Sequence, residues 1–164
     1  MLLLIKWVII IDNTVLSNFA RTNHLQLLEL FCRSRGLIVQ AVREEFQQGI
    51  SRGLFPETDL SWVNQTDITD PKEIYLSQRY RLELGNGESD SLAIARCRNH
   101  ELLTDDRKAR QIGFREQVRV SGSVGVLGVL VRRSTISLLE GNRVLAEFIS
   151  AGYFSPIEEL DDLI

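Results

Sequence analysis

Apolar residues run without a break from Trp7 to Ile11, and Asp12 ends the run. Its last four residues, Val8 to Ile11, are β-branched, which predicts a strand buried on both faces. Residues 13–23 read as a short helix and turn. Apolar positions Leu25, Leu27, Leu28, Leu30 and Phe31 recur at helical spacing, and the pattern stops near Gly36. Residues 37–40 (LIVQ) read as a second strand, 41–50 as a helix, and 51–59 as a loop punctuated by Gly53 and Pro56. A third strand is expected within 60–68. Asp70 and Pro71 mark a helix start, a cap followed by proline at the first helical position, and that helix is expected to reach Leu84. Residues 85–90 (GNGESD) read as a turn leading into a helix that ends at His100. Two further strands, 101–104 (ELLT) and 117–120 (QVRV), flank a helix over 105–114. A helix rich in small residues over 121–134, which permits close packing, precedes a helix over 137–153 and a capped turn or helix over 155–164. Short strands alternating with helices predict a parallel sheet covered by helices. With no repeat, low-complexity segment or long linker, the chain reads as one domain over residues 1–164.

Composition changes this picture little. A hydrophobic content of 44% with 25% charged residues describes an ordinary globular chain, and 164 residues suffice for a sizeable core. A net charge of −3 gives no global attraction to nucleic acid or to an anionic membrane. Sixteen of the nineteen basic residues are arginine, which suits bidentate contact with carboxylate or phosphate, although an arginine-rich genome leaves the same mark. Cys32 and Cys97 lie far apart, and His24 and His100 lack partners at metal-ligand spacing. Neither a disulfide framework nor a zinc site is expected, and a reduced cytoplasmic setting is the default. The apolar start carries Lys6 inside its run rather than before it, and no small-residue cleavage site follows, so it does not read as a leader. It is also shorter than the roughly 20 residues a membrane helix needs, and no membrane partner is expected.

Asp12 is the residue that asks for chemistry. A carboxylate closing an apolar strand is costly to bury unless it is paired or coordinated. In open parallel sheets, ligands bind outside the carboxyl ends of the strands. Asp12 stands at such an end, as do Asp105 and Asp106. Glu44 and Glu45 follow the second strand by one helical turn, and Glu88 and Asp90 open another helix. Each has a plainer role when taken alone. Asp12, Asp105 and Asp106 suit helix caps, Glu88 and Asp90 complement a helix dipole, and Glu44 and Glu45 suit a solvated face. Taken together, carboxylates at one sheet edge repel unless a cation lies between them. An all-oxygen set favours Mg²⁺ or Mn²⁺.

Four segments, in order, resemble the motifs of the PIN-domain nucleases, most closely their VapC-like toxin branch. "IIIDNTVLSN" resembles an apolar strand followed by the first acid and a hydroxyl residue, and "VREEF" the second acid before an apolar residue. "GESDSLAIA" resembles an acid opening an Ala-rich helix, and "LLTDDRKAR" a strand ending in Thr, a spacer and Asp. "VSGSVGVLGVLVRRS" with "LAEFISAGYFSP" is similar to the C-terminal region of a subgroup, so the likeness spans nearly the whole chain.

The resemblance implies a three-layer α/β/α sandwich around a central, mostly parallel five-stranded sheet. It implies an endoribonuclease with catalytic acids Asp12, Glu45, Asp90 and Asp106, of which Asp12, Asp90 and Asp106 hold Mg²⁺ or Mn²⁺. Glu45 is favoured over Glu44 because it precedes Phe46. Asp106 is favoured over Asp105 because it stands two residues after Thr104. Thr14 and Thr104 match hydroxyl positions that hold carboxylates, and Asn18 lies one turn beyond Thr14. Arg107 and Arg110, neighbours on one helical face, are candidates for RNA phosphates, as are Arg96 and Arg98, with surface ion pairing as the alternative. The implied partners are an RNA substrate, a cognate antitoxin protein and a second copy of the chain. For the dimer, "GSVGVLGVL" and "LLLIKWV" are candidate surfaces, with core packing the simpler role.

Two other readings compete. A phosphatase or receiver domain would use Asp12 as phosphoryl acceptor, but Thr14 stands where the former wants a second Asp, and only Lys108 is near the latter's lysine position. A non-catalytic PIN-like metal-binding scaffold or adaptor would carry the same acids.

Overall fold

The computed structural model describes residues 7–164. The apolar residues 1–6, with their reading as neither leader nor membrane span and their candidate part in a dimer, lie outside the described residues. Among the described residues no helix is long and apolar enough to cross a membrane.

The apolar run forms β1, Ile9–Ile11, with every side chain buried. The other strands are β2 (Gly36–Val39), β3 (Asn64–Thr66), β4 (Glu101–Leu103) and β5 (Val120–Ser121). They form one sheet of order β3-β2-β1-β4-β5 in which every neighbouring pair is parallel. Ile10 at the centre is in register with Leu37 on one side and Leu102 on the other. A strand so placed has no solvent face, which is why its sequence is apolar without alternation.

The helices are α1 (Asn13–Arg21), α2 (Leu25–Cys32), α3 (Gln40–Ser51), α4 (Pro71–Tyr80), α5 (Asn86–Arg98), α6 (Arg107–Arg115), α7 (Ser123–Arg132) and α8 (Leu138–Ser150). The chain steps one way along the sheet from β1 to β3, then returns to the other side of β1 for β4 and β5. Right-handed crossovers therefore place the connecting helices of the two halves on opposite faces. On one face α1 and α2 pack with α7 and α8; on the other, α5 crosses β1, β2 and β4 between α4 and α6. Helix α3 touches both α1 and α5. These layers are those of the expected sandwich. One core joins Ile9 to Ile11 and Leu102 to Phe19, Leu28, Leu92 and Phe148. Phe19 and Phe148 meet edge to face with centroids 4.8 Å apart. Cys32 and Cys97 are both free thiols.

Residues 85–90, expected as a turn, are instead the cap and first turns of α5. Glu88 folds back to accept the Gly85 N–H at 2.8 Å. That satisfies one of the donors orphaned at a helix start and offsets the poor helix propensity of Asn86-Gly87. The third strand shrinks to three edge residues. Of residues 155–164, only Asp161–Leu163 form a turn of 3₁₀ helix.

Arg98 ties two helices to the edge of the sheet. Its guanidinium donates to both oxygens of Glu73 on α4 (2.6 and 3.1 Å), to the Thr66 hydroxyl (2.8 Å) and to the Asp67 carbonyl (2.8 Å). Arg96 stands 4.0 Å from Glu116. Of the two roles weighed for these arginines, ion pairing is the one Arg98 fills.

Candidate active site

The strand order reverses between β1 and β4, so the carboxyl ends of these two strands mark the switch point at which open α/β sheets bind their ligands. Asp12 follows β1 directly. Its N–H continues the ladder by donating to the Leu103 carbonyl at 2.9 Å, and its carboxylate sits at the N-cap of α1. It is 1% exposed. Burial pushes its proton affinity above that of an ordinary carboxylate, against the pull of hydrogen bonds from Thr14 and Thr104.

The two threonines explain how this carboxylate is held. Thr14 Oγ1 donates to Asp12 Oδ2 at 2.8 Å, and Thr104 Oγ1 donates to the same oxygen at 2.9 Å. Each hydroxyl has one hydrogen and accepts in turn from a backbone amide. The Asp105 N–H donates to Thr14 Oγ1 (2.9 Å) and the Asp106 N–H to Thr104 Oγ1 (3.1 Å). Both hydrogens are thereby aimed at Oδ2. Asp12 Oδ1 is buried and has no hydrogen-bond partner.

Four further acids repeat the arrangement of one oxygen tethered and one uncommitted among the described residues. Glu45 Oε1 accepts from the Gly87 N–H at 3.2 Å. This approach is possible because Gly87 has no side chain; a Cβ there would lie 2.8 Å from Glu45 Oε1 and 3.0 Å from Val42. Glu88 is tethered through Oε2 to Gly85. Asp106 Oδ1 caps α6 by accepting the Ala109 N–H at 2.7 Å. Asp90 Oδ1 accepts from Ser77 Oγ at 2.5 Å and Arg81 at 2.9 Å. The acids feel one another. Glu45, partly buried, has its pKa raised first by burial, then by the charges of Asp12 and Asp90. Glu88 has its pKa raised by burial and by Asp12, Asp106 and Glu45.

The remaining candidates divide clearly. Asp105 has both oxygens engaged: Asn18 donates at 2.8 Å, Ser123 through N–H at 2.9 Å and Oγ at 2.5 Å, and the Tyr153 hydroxyl at 3.2 Å. Asn18, half-buried, thus meets Asp105. Glu44 is exposed and accepts from Gln40 at 2.7 Å. Arg107 is exposed, and Arg110 donates to the Thr104 carbonyl at 3.1 Å. Glu88 was not among the acids singled out for a role. It and Asp90 lie two residues apart, about 200° around a helix, so they address different sides of α5, and that spacing is visible in the sequence.

Among the described residues no three carboxylate, histidine or cysteine side chains stand close enough to hold one ion as arranged here. The donor chemistry nonetheless fits a hard divalent cation. All the candidate donor atoms are oxygens, and the buried Asp12 Oδ1 lacks a hydrogen-bond partner. A parallel α/β sheet with a buried acid between β1 and β4, whose charge reaches Glu45 and Glu88, defines a class of protein whose chemistry sits at that switch point. Residues 8–164 match the family model described as the PIN domain, and the chain belongs to that family. PIN domains are in general nucleases, acting on nucleic acid with divalent metal ions. No curated protein and no solved structure matches the chain significantly.

Proposed function

We propose that this chain is a Mg²⁺- or Mn²⁺-dependent endoribonuclease of a single domain, the toxin of a type II toxin–antitoxin pair. One observation carries the reading: Asp12, buried at the switch point, has one oxygen saturated by two threonines and the other without a partner. Asp12, Asp90 and Asp106 would hold the ion by the motif pattern, with Glu45 beside them; Glu88, on the other side of α5 and within reach of the charges of Asp12 and Asp106, is the alternative ligand from that helix. A bound divalent cation supplies a water of lowered pKa and offsets charge developing on the phosphate. The chain's own part is to place and trade protons. Thr14 and Thr104 fix the Asp12 carboxylate. Glu45, tethered through Oε1 to the Gly87 N–H, would take a proton at Oε2 from the attacking water. A cognate antitoxin and a second copy of the chain are the protein partners of this reading.

The test is cleavage of a panel of single-stranded and structured RNAs with Mg²⁺, Mn²⁺ or EDTA, with Asp12→Ala in parallel. Metal-dependent cleavage that disappears in a folded mutant supports the reading. Folded wild type that binds the cation and cuts no RNA reassigns the chain to a metal-binding scaffold. Growth arrest on expression, relieved by Asp12→Ala, separates a toxin from a housekeeping nuclease.

A further inference from the structure

Next to the acids, along the β5 edge of the sheet, lies a groove of about 860 Å³. One wall is a single stripe of α6, with Arg107, Arg110 and Phe114 at positions i, i+3 and i+7. The opposite stripe of α6, Ala109, Ile112 and Gly113, is buried, so this is the face the fold leaves uncovered. Residues 153–156 form the second wall, and Val124 with Gly125 on α7 lies between. An aromatic ring stands free on each lip: Phe114 is 86% and Phe154 98% exposed. Arg107 has no carboxylate partner among the described residues, and Arg110 bonds a neutral carbonyl. Asp105 is the one carboxylate in the lining, and both its oxygens are occupied. Arg107 follows Asp106 in the chain, so the groove begins where the acids end.

Two bare phenyl faces, two guanidiniums and no available carboxylate match an unpaired polynucleotide strand. Bases stack on aromatic side chains whatever their sequence, and arginine pairs with phosphate. A duplex keeps its base faces inside its own stack and cannot use them here. We propose that this groove binds unpaired nucleotides flanking the cleaved bond, stacked on Phe114 and Phe154, with Arg107 on a phosphate. The proposal rests on the nuclease reading above and adds to that site a strand-binding surface outside the acids, built from Phe114, Phe154 and Arg107.

The test separates binding from cutting. Asp12→Asn, which leaves the groove untouched, is titrated with a short fluorescent oligoribonucleotide, with its duplex and with an abasic version. The single strand should bind best. Phe114→Ala and Phe154→Ala should each weaken it about tenfold, and neither should matter for the abasic strand. Arg107→Ala should flatten the dependence of log K on log salt by about 0.7. In the active chain the phenylalanine variants should raise KM and spare kcat. Strand binding that is absent, or indifferent to both phenylalanines, overturns the groove while cleavage by wild type keeps the nuclease. Groove-dependent binding without cleavage does the reverse. Loss of antitoxin binding in the phenylalanine variants, with RNA binding unchanged, reassigns the groove to a protein.

Discussion

Thr14 and Thr104 each have one hydroxyl hydrogen, and both go to Oδ2 of Asp12. Thr104→Val keeps the volume and removes the hydroxyl. It strips a donor from a buried carboxylate and an acceptor from the Asp106 N–H, so it should cost about 1–3 kcal/mol in urea unfolding; Thr104→Ser should restore most of it. The adjacent aspartates should separate just as cleanly. Asp105→Ala leaves donors from Asn18, Ser123 and Tyr153 without an acceptor and should destabilise by at least about 2 kcal/mol. Asp106→Ala loses a helix cap, about 1 kcal/mol, and should blunt the thermal response to Mn²⁺. The acids at strand ends were readable from the chain because a carboxylate closing an apolar run has few explanations. The saturation of Asp105 was not, because its donors come from α1, α7 and the segment after α8, which only the folded chain assembles.

Among the elements, α4, α5 and β3 are joined by the Arg98–Glu73 pair. The guanidinium beside Glu73, together with two backbone amides, holds its carboxyl at about 2, well below the ordinary 4.5. A depressed carboxylate stabilises the fold above its unfolded pKa and ceases to do so as pH falls through its folded one. Stability should therefore decline between roughly pH 4.5 and 2, by up to about 3 kcal/mol from this group. In Glu73→Gln, thermal melts across that window should show a flatter profile; an unchanged slope would deny the pair this role. Such pairing was one of two roles open to Arg98 in the sequence, since nothing local reveals that Glu73, 25 residues away, faces it. Element order and parallel pairing were legible from the alternation of short apolar runs with helices. The start of α5 was not, because Gly85 to Gly87 signal a turn and only the backward reach of Glu88 converts them into a helix start.

For the molecule as a whole, the strand order decides where chemistry can occur. Neighbouring β1 and β4 bring Asp12 and Thr104 into contact although 92 residues separate them. A cation bound there stabilises the folded chain against the unfolded one, so Mg²⁺ or Mn²⁺ at 100 times its dissociation constant should add about 2.7 kcal/mol. Calorimetry should show the rise in melting temperature, and Asp12→Ala should abolish it. The Tyr153 hydroxyl on Asp105 adds a different consequence. It comes from the segment after α8, on the helical layer that α1, α7 and α8 share. The loop behind β4 that carries Asp105 and Asp106 is therefore held in place from that layer. A change that loosens the packing of α7 or α8 would reach the acids through this strut without touching any of them.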